Sequence, residues 1–227
     1  MTHSAIALGE TVTPLFGDAL QLGPRDEALR TDLIRAVGQL HSRGLLDFGG
    51  AANASIRLLD APDHLLVTSR GLPRDITAED FGLIRLDGTF VAGQLGKGIR
   101  QVIEMHTPPY KRARVGAVFH AHTAHATAFA LAHRSIPAHF EPLIKRGQTV
   151  DIPVTRYGDR NNGEMVNQLD AVLQANPTTH AVLLANHGVL VFHEDAKKTA
   201  ELLQLVDDAA ALILRAQALG GSQVPLQ

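Results

Sequence analysis

The chain has 227 residues, a formal net charge of -2, 45% hydrophobic residues, 12 histidines and no cysteine. A chain of this length buries roughly 70% of its surface on folding, enough for a full core. The missing cysteine excludes a disulfide framework, a thiolate metal site and a cysteine nucleophile, so any metal must rest on His, Asp or Glu.

Residues 1–24 are weakly patterned and read as an arm. No positively charged start followed by an apolar run opens the chain, so no signal peptide is expected and the default location is the cytoplasm. From Pro24 to Leu46 the pattern is helical, with Leu29, Leu33, Ala36, Val37 and Leu40 at three- and four-residue spacing and Gly44 as the stop. Ala54–Leu59 and His64–Thr68 read as strands around the turn Asp60-Ala61-Pro62-Asp63. A helical turn is expected over Asp75–Asp80. Phe81–Phe90 reads as two strands around Asp87-Gly88, followed by a Gly-rich link over Gly93–Gly98. Ile99–Tyr110 reads as a helix ended by Pro108-Pro109. Val115–His122 is a predicted strand and Thr123–His133 a predicted helix. Then come a strand over Thr149–Thr155, a helix over Gly163–Gln174, strands over His180–Ala185 and Val189–Phe192, and a long helix over Glu194–Leu219. Gly220-Gly221 ends that helix. The expected organisation is an arm (1–24), one α/β domain (25–221) and a short tail (222–227).

Interrupted apolar runs predict no transmembrane helix. The near-neutral charge and 4% aromatic content predict no binding of nucleic acid or of an anionic membrane.

Two local features carry chemistry. In Phe119-His120-Ala121-His122, strand alternation puts both imidazoles on one face, with Cα atoms roughly 6.6 Å apart. Such a pair can converge on a metal or can be two satisfied, half-buried histidines. In Asn186-His187-Gly188, a histidine sits in a tight turn between two apolar strands, where Gly188 would permit an unusual backbone. A third imidazole there would complete a three-histidine set with an open position, the catalytic form of a zinc site. The local alternative is a turn histidine bonded to the backbone.

Together these features resemble a known family. The run IEMHTPPYKRARVGAVFHAHTAHATA, Ile103–Ala128, is similar to the core of the class II aldolase/adducin family, and the resemblance extends from about Leu29 to Leu219. It implies a three-layer α/β/α sandwich with a mixed, mainly antiparallel sheet. It also implies one divalent metal on His120, His122 and His187, and a homotetramer with active sites near subunit interfaces. Zinc suits three imidazoles, with manganese, iron or cobalt as alternatives.

The pattern departs from the family's in places that bear on the reaction. Family aldolases carry an acid/base Glu four residues before the helix histidine; here that histidine is His106 and the position holds Val102. Glu104 lies on another side of the helix and is a candidate acid/base only after a local shift. The phosphate-holding turns of the sugar-phosphate members correspond to Ala52-Asn53-Ala54-Ser55, Ser69-Arg70-Gly71 and Arg100-Gln101. Asn53, Ser55 and Ser69 are therefore candidate substrate contacts, and Arg70 and Arg100 candidate forks for a carboxylate. His106 is expected in or beside the cleft. His125 and Tyr157 are candidate proton donors, Tyr157 in a loop where the family places a substrate-side tyrosine.

The resemblance implies a metal-dependent carbon–carbon lyase. Some members of the family are decarboxylases of hydroxylated aromatic or heteroaromatic carboxylic acids, and that reaction is the preferred reading here, because a Glu beside the leaving carboxylate would hinder it by repulsion. An aldolase acting on a non-phosphorylated hydroxy/oxo acid is the second reading. A non-catalytic adducin-like association domain is the third. A cupin-like oxygenase fits poorly, because Thr123–Arg134 offers no carboxylate ligand.

Overall fold

The structure, a computed structural model, describes residues 15–16, 18–47 and 52–224. Most of the expected N-terminal arm and the end of the tail lie outside these residues. Strand β1 (Leu15–Phe16) precedes helix α1 (Pro24–Ser42). Pro24 opens the helix, Asp26 and Glu27 complement its N-terminal dipole, and the chain turns away at Gly44. The spaced residues Leu33, Ala36, Val37 and Leu40 are all buried.

Four strands follow: β2 (Asn53–Arg57), β3 (His64–Thr68), β4 (Phe81–Arg85) and β5 (Phe90–Leu95). Next come α2 (Ile99–His106), a 3-10 turn over Pro108–Lys111, β6 (Ala117–Ala121) and α3 (Ala124–Leu131). The chain continues through α4 (Glu141–Lys145), α5 (Glu164–Ala175), β7 (Ala181–Leu184), β8 (Gly188–His193) and α6 (Ala196–Ala216). The strands form one sheet in the order β1-β5-β4-β3-β2-β6-β8-β7. Each neighbouring pair is antiparallel. The expected parallel component shrinks to one isolated bridge, Val154 with Leu183.

The central strand β6 is buried along its whole length, and its alternation sorts two cores. Ala117, Phe119 and Ala121 join residues of α1, α3 and α6, such as Val37, Ala130 and Leu203. Val118 joins residues of α2 and α5, such as Ile103 and Leu169. His120 shares the parity of Val118 and therefore faces the α2/α5 side. The same alternation puts Asn53 and Ser55 of β2 on that side, since Ala54 and Ile56 belong to the other core.

Three expectations are corrected. Asp75–Asp80 forms turns rather than a helix, because the Asp80 carboxylate captures the Thr77 backbone N–H at 2.8 Å and the Arg70 guanidinium. Gly93 lies inside β5 rather than in a link. It has φ +80, and a Cβ there would meet Phe81 O at 2.4 Å, so glycine lets β4 and β5 approach. Thr149–Thr155 makes only isolated bridges at Ile152 and Val154, on either side of Pro153, which has no N–H to give a ladder.

Candidate metal centre

His120 is the penultimate residue of β6, His122 follows the strand, and His187 sits in the β7–β8 turn beside them. One ring nitrogen from each of the three lies within 4.8 Å of the others. The ring centroids are 4.5–4.9 Å apart, and Nε2 of His120 is 3.0 Å from Nε2 of His122. His120 Nδ1 is 3.0 Å from Val189 O. A carbonyl can only accept, so Nδ1 carries the proton and Nε2 keeps its lone pair for a ligand bond.

Burial holds His120 and His187 neutral. It pushes His120 well below the ordinary imidazole range, with His187 and His122 adding to the effect. Burial, then His122 and Arg160, bring His187 down to about 4. His187 Nδ1 is itself buried without a hydrogen-bond partner. Three converging imidazoles, one with a buried ring nitrogen that has no hydrogen-bond partner, fit a divalent metal of the zinc type.

The turn is shaped by two neighbours of His187. Asn186 adopts the left-handed conformation, φ 59, whereas Gly188 does not. Glycine at 188 is required for space: a Cβ there would lie 2.6 Å from Ala121 O and 3.2 Å from His120 Cε1.

The other predicted residues divide into groups. Asn53 lies opposite His120 in the β2–β6 register. His106 Nε2 donates to Asn53 Oδ1 at 2.6 Å, which leaves Nδ1 as acceptor for the Ser55 hydroxyl at 2.7 Å. Tyr110 donates to Ser55 Oγ at 2.8 Å. Ser55 and His106 are fully buried, so they do not line an open cleft as expected; they bond each other behind β2. Burial lowers His106 to about 3 and raises Tyr110. The sequence does not single out Tyr110; its one signal is position, four residues beyond His106.

Arg70 and Arg100 are spent on internal carboxylates. Arg70 forks Asp80 and also approaches Asp75 at 3.6 Å. Arg100 Nε binds Glu104 Oε1 at 2.8 Å along α2. Glu104 is thus an ion-paired helix carboxylate, although its Oε2 is buried without a hydrogen bond. The Ser69 backbone is bonded to Asp80 O and to Gly96 N–H, each at 2.9 Å. His125 turns toward α6, where Nδ1 pairs with Asp207 Oδ2 at 2.9 Å. Asp207 Oδ1 also accepts the His125 and Ala126 N–H groups and so caps α3. Tyr157 is 66% exposed and lines a cavity with His187 and Arg160.

Fold and site together define a mainly antiparallel α/β domain with three converging histidines, placed so that they could hold a metal, beside the end of β6. The chain belongs to the class II aldolase and adducin N-terminal domain family, whose model matches residues 31–214. It is similar to 3-oxo-tetronate 4-phosphate decarboxylase of Escherichia coli K12, at 27% identity over 83% of this chain and 87% of that protein. L-fuculose phosphate aldolase of the same strain is 29% identical, covering 77% of each chain. Among solved structures, an L-fuculose 1-phosphate aldolase superposes with a TM-score of 0.77 at 23% identity, covering 90% of this chain and 94% of that one, which shows a common fold. Among the described residues no helix is long and apolar enough to cross a membrane.

Proposed function

We propose that this chain is a divalent-metal-dependent decarboxylase of a hydroxylated carboxylic acid, working as a cytoplasmic homotetramer with an α/β/α three-layer subunit. The observation that carries the reading is the composition of the site. Among the described residues three imidazoles converge without a carboxylate among them, and the helix position at which the family resemblance implies an acid/base Glu holds Val102. The kinship with a named decarboxylase supports the same reaction class.

His120, His122 and His187 would hold the metal, which supplies Lewis-acid stabilisation of the charge left when CO2 departs. Zinc is the preferred ion, with manganese, iron or cobalt as alternatives. The protein's own part is positional. Val189 O fixes the His120 tautomer, and the buried Asn53–His106–Ser55–Tyr110 chain fixes β2 against α2. Loss of CO2 leaves the bonding electron pair on carbon, and a proton must return there. The Tyr157 phenol, on the wall of the His187 cavity, is the proposed donor. An aromatic or heteroaromatic acid is the preferred substrate. The reading rests on the missing base rather than on ring recognition, so non-phosphorylated hydroxy and oxo acids form the comparison set.

The second reading is an aldolase. It is favoured by the buried, unbonded Oε2 of Glu104, the one carboxylate on α2, and by the kinship with fuculose phosphate aldolase. Metal-reconstituted protein screened against hydroxybenzoates, pyridine dicarboxylates and aliphatic hydroxy/oxo acids separates the two. CO2 release is expected. Aldehyde release without CO2 establishes the aldolase instead. A folded protein that takes up no metal and releases neither would be an association domain.

A further inference from the structure

With Arg70 and Arg100 paired internally, the substrate's anionic end needs another partner. The loop before α5 offers one. Asp159 Oδ1 accepts the Asn161 N–H at 2.8 Å, and Asn161 Oδ1 accepts from Gln101 Nε2 of α2 at 3.1 Å. Gly158 presses on the first turn of α5, where a Cβ would lie 2.7 Å from Met165 N. The loop is therefore tied to both helices on that side of the sheet. It presents Arg160 toward the metal centre, with Nη1 3.4 Å from His187 Nε2. Among the described residues that contact is its only polar one, and no carboxylate pairs with it. Arg160, Tyr157 and His187 line a cavity of about 130 Å³, the size of a small organic acid.

A guanidinium and a divalent cation this close repel unless an anion lies between or beside them. The fork geometry of arginine matches a carboxylate, held by two parallel charge-assisted bonds. The anion so held would not be the one that leaves. A guanidinium stabilises the charged carboxylate, and that charge is lost on forming neutral CO2, so pairing there would raise the barrier. We propose that Arg160 anchors a second carboxylate, one that stays with the product, and that the substrate is a dicarboxylic acid. This rests on the metal-dependent decarboxylase reading above.

Fumarate and its monoamide, fumaramate, are suitable probes. The trans double bond prevents both ends of fumarate from chelating one metal, so the distal carboxylate needs a protein partner. Cobalt-loaded protein is titrated with each, followed by visible absorption. Native protein should bind fumarate about ten- to a hundredfold more tightly than fumaramate. Arg160→Leu should abolish that preference at unchanged cobalt content and melting temperature, and Arg160→Lys should restore part of it. Equal binding of the two probes by native protein overturns the proposal, as does a preference that survives Arg160→Leu. Native protein that takes up no cobalt overturns the lyase reading itself, a separate result.

Discussion

A Cβ on Gly188 would lie 2.7 Å from Cδ2 of His122. The histidine cluster is thus packed against the backbone of the turn that carries its third member, and the room for the imidazoles depends on a missing methyl group. Because the Gly188 backbone is not left-handed, Gly188→Ala would act through this collision rather than through strain. The variant should stay folded, with metal affinity lowered about tenfold or more in a chelator competition. Native affinity in Gly188→Ala would contradict the packing account.

The buried imidazoles predict acid sensitivity. His106 falls from an ordinary 6.5 to about 3 on folding, so the unfolded chain binds more protons. The associated stability is complete above 6.5 and is lost as pH falls from there toward 3. His106 alone gives a slope of up to about 1.4 kcal/mol per pH unit in that window. The melting temperature of metal-free protein should drop between pH 7 and pH 5, and His106→Gln, which cannot protonate, should flatten part of the slope. A level profile would show that these rings are not buried and neutral.

Asp207 is predicted to be structural. Its carboxylate accepts two backbone N–H groups at the start of α3 and the His125 ring. Asp207→Ala should cost about 2–4 kcal/mol in denaturant unfolding while leaving the metal affinity of the folded protein unchanged. A neutral effect on stability would remove the capping role.

Val102 bears on the choice of reaction. A carboxylate at that position would oppose a leaving carboxylate. Val102→Glu should lower the rate of CO2 release by about tenfold or more, an electrostatic effect on the barrier. The uncharged Val102→Gln separates charge from packing and should retain more activity. Unchanged or faster decarboxylation in Val102→Glu would sink the argument from the missing base.

Much of this architecture is legible in the sequence because period and parity are local properties. The parity of His120 and His122, the Asn-His-Gly turn and the apolar face of α1 each follow from spacing alone. What was hidden depends on partners distant in the chain. An arginine's choice between substrate and an internal carboxylate is decided by folding. Arg70 meets Asp80 only because the loop between β3 and β4 folds back on itself. Ser55 and His106 look like cleft residues until the Tyr110 hydroxyl closes their network from beyond two prolines. Gly188 reads as conformational in the sequence, whereas its role is steric, since a sequence does not show the distance to a neighbouring ring. Arg160 gave no signal, as its significance comes from the loop that aims it.

The most direct test of the central claim is metal stoichiometry, measured by elemental analysis after reconstitution and removal of excess ion, for native protein and for His122→Ala. The account predicts about one divalent ion per chain in the native protein and essentially none in the variant, both remaining folded. A folded native protein without metal, or a His122→Ala protein that retains it at native affinity, would contradict the three-histidine centre.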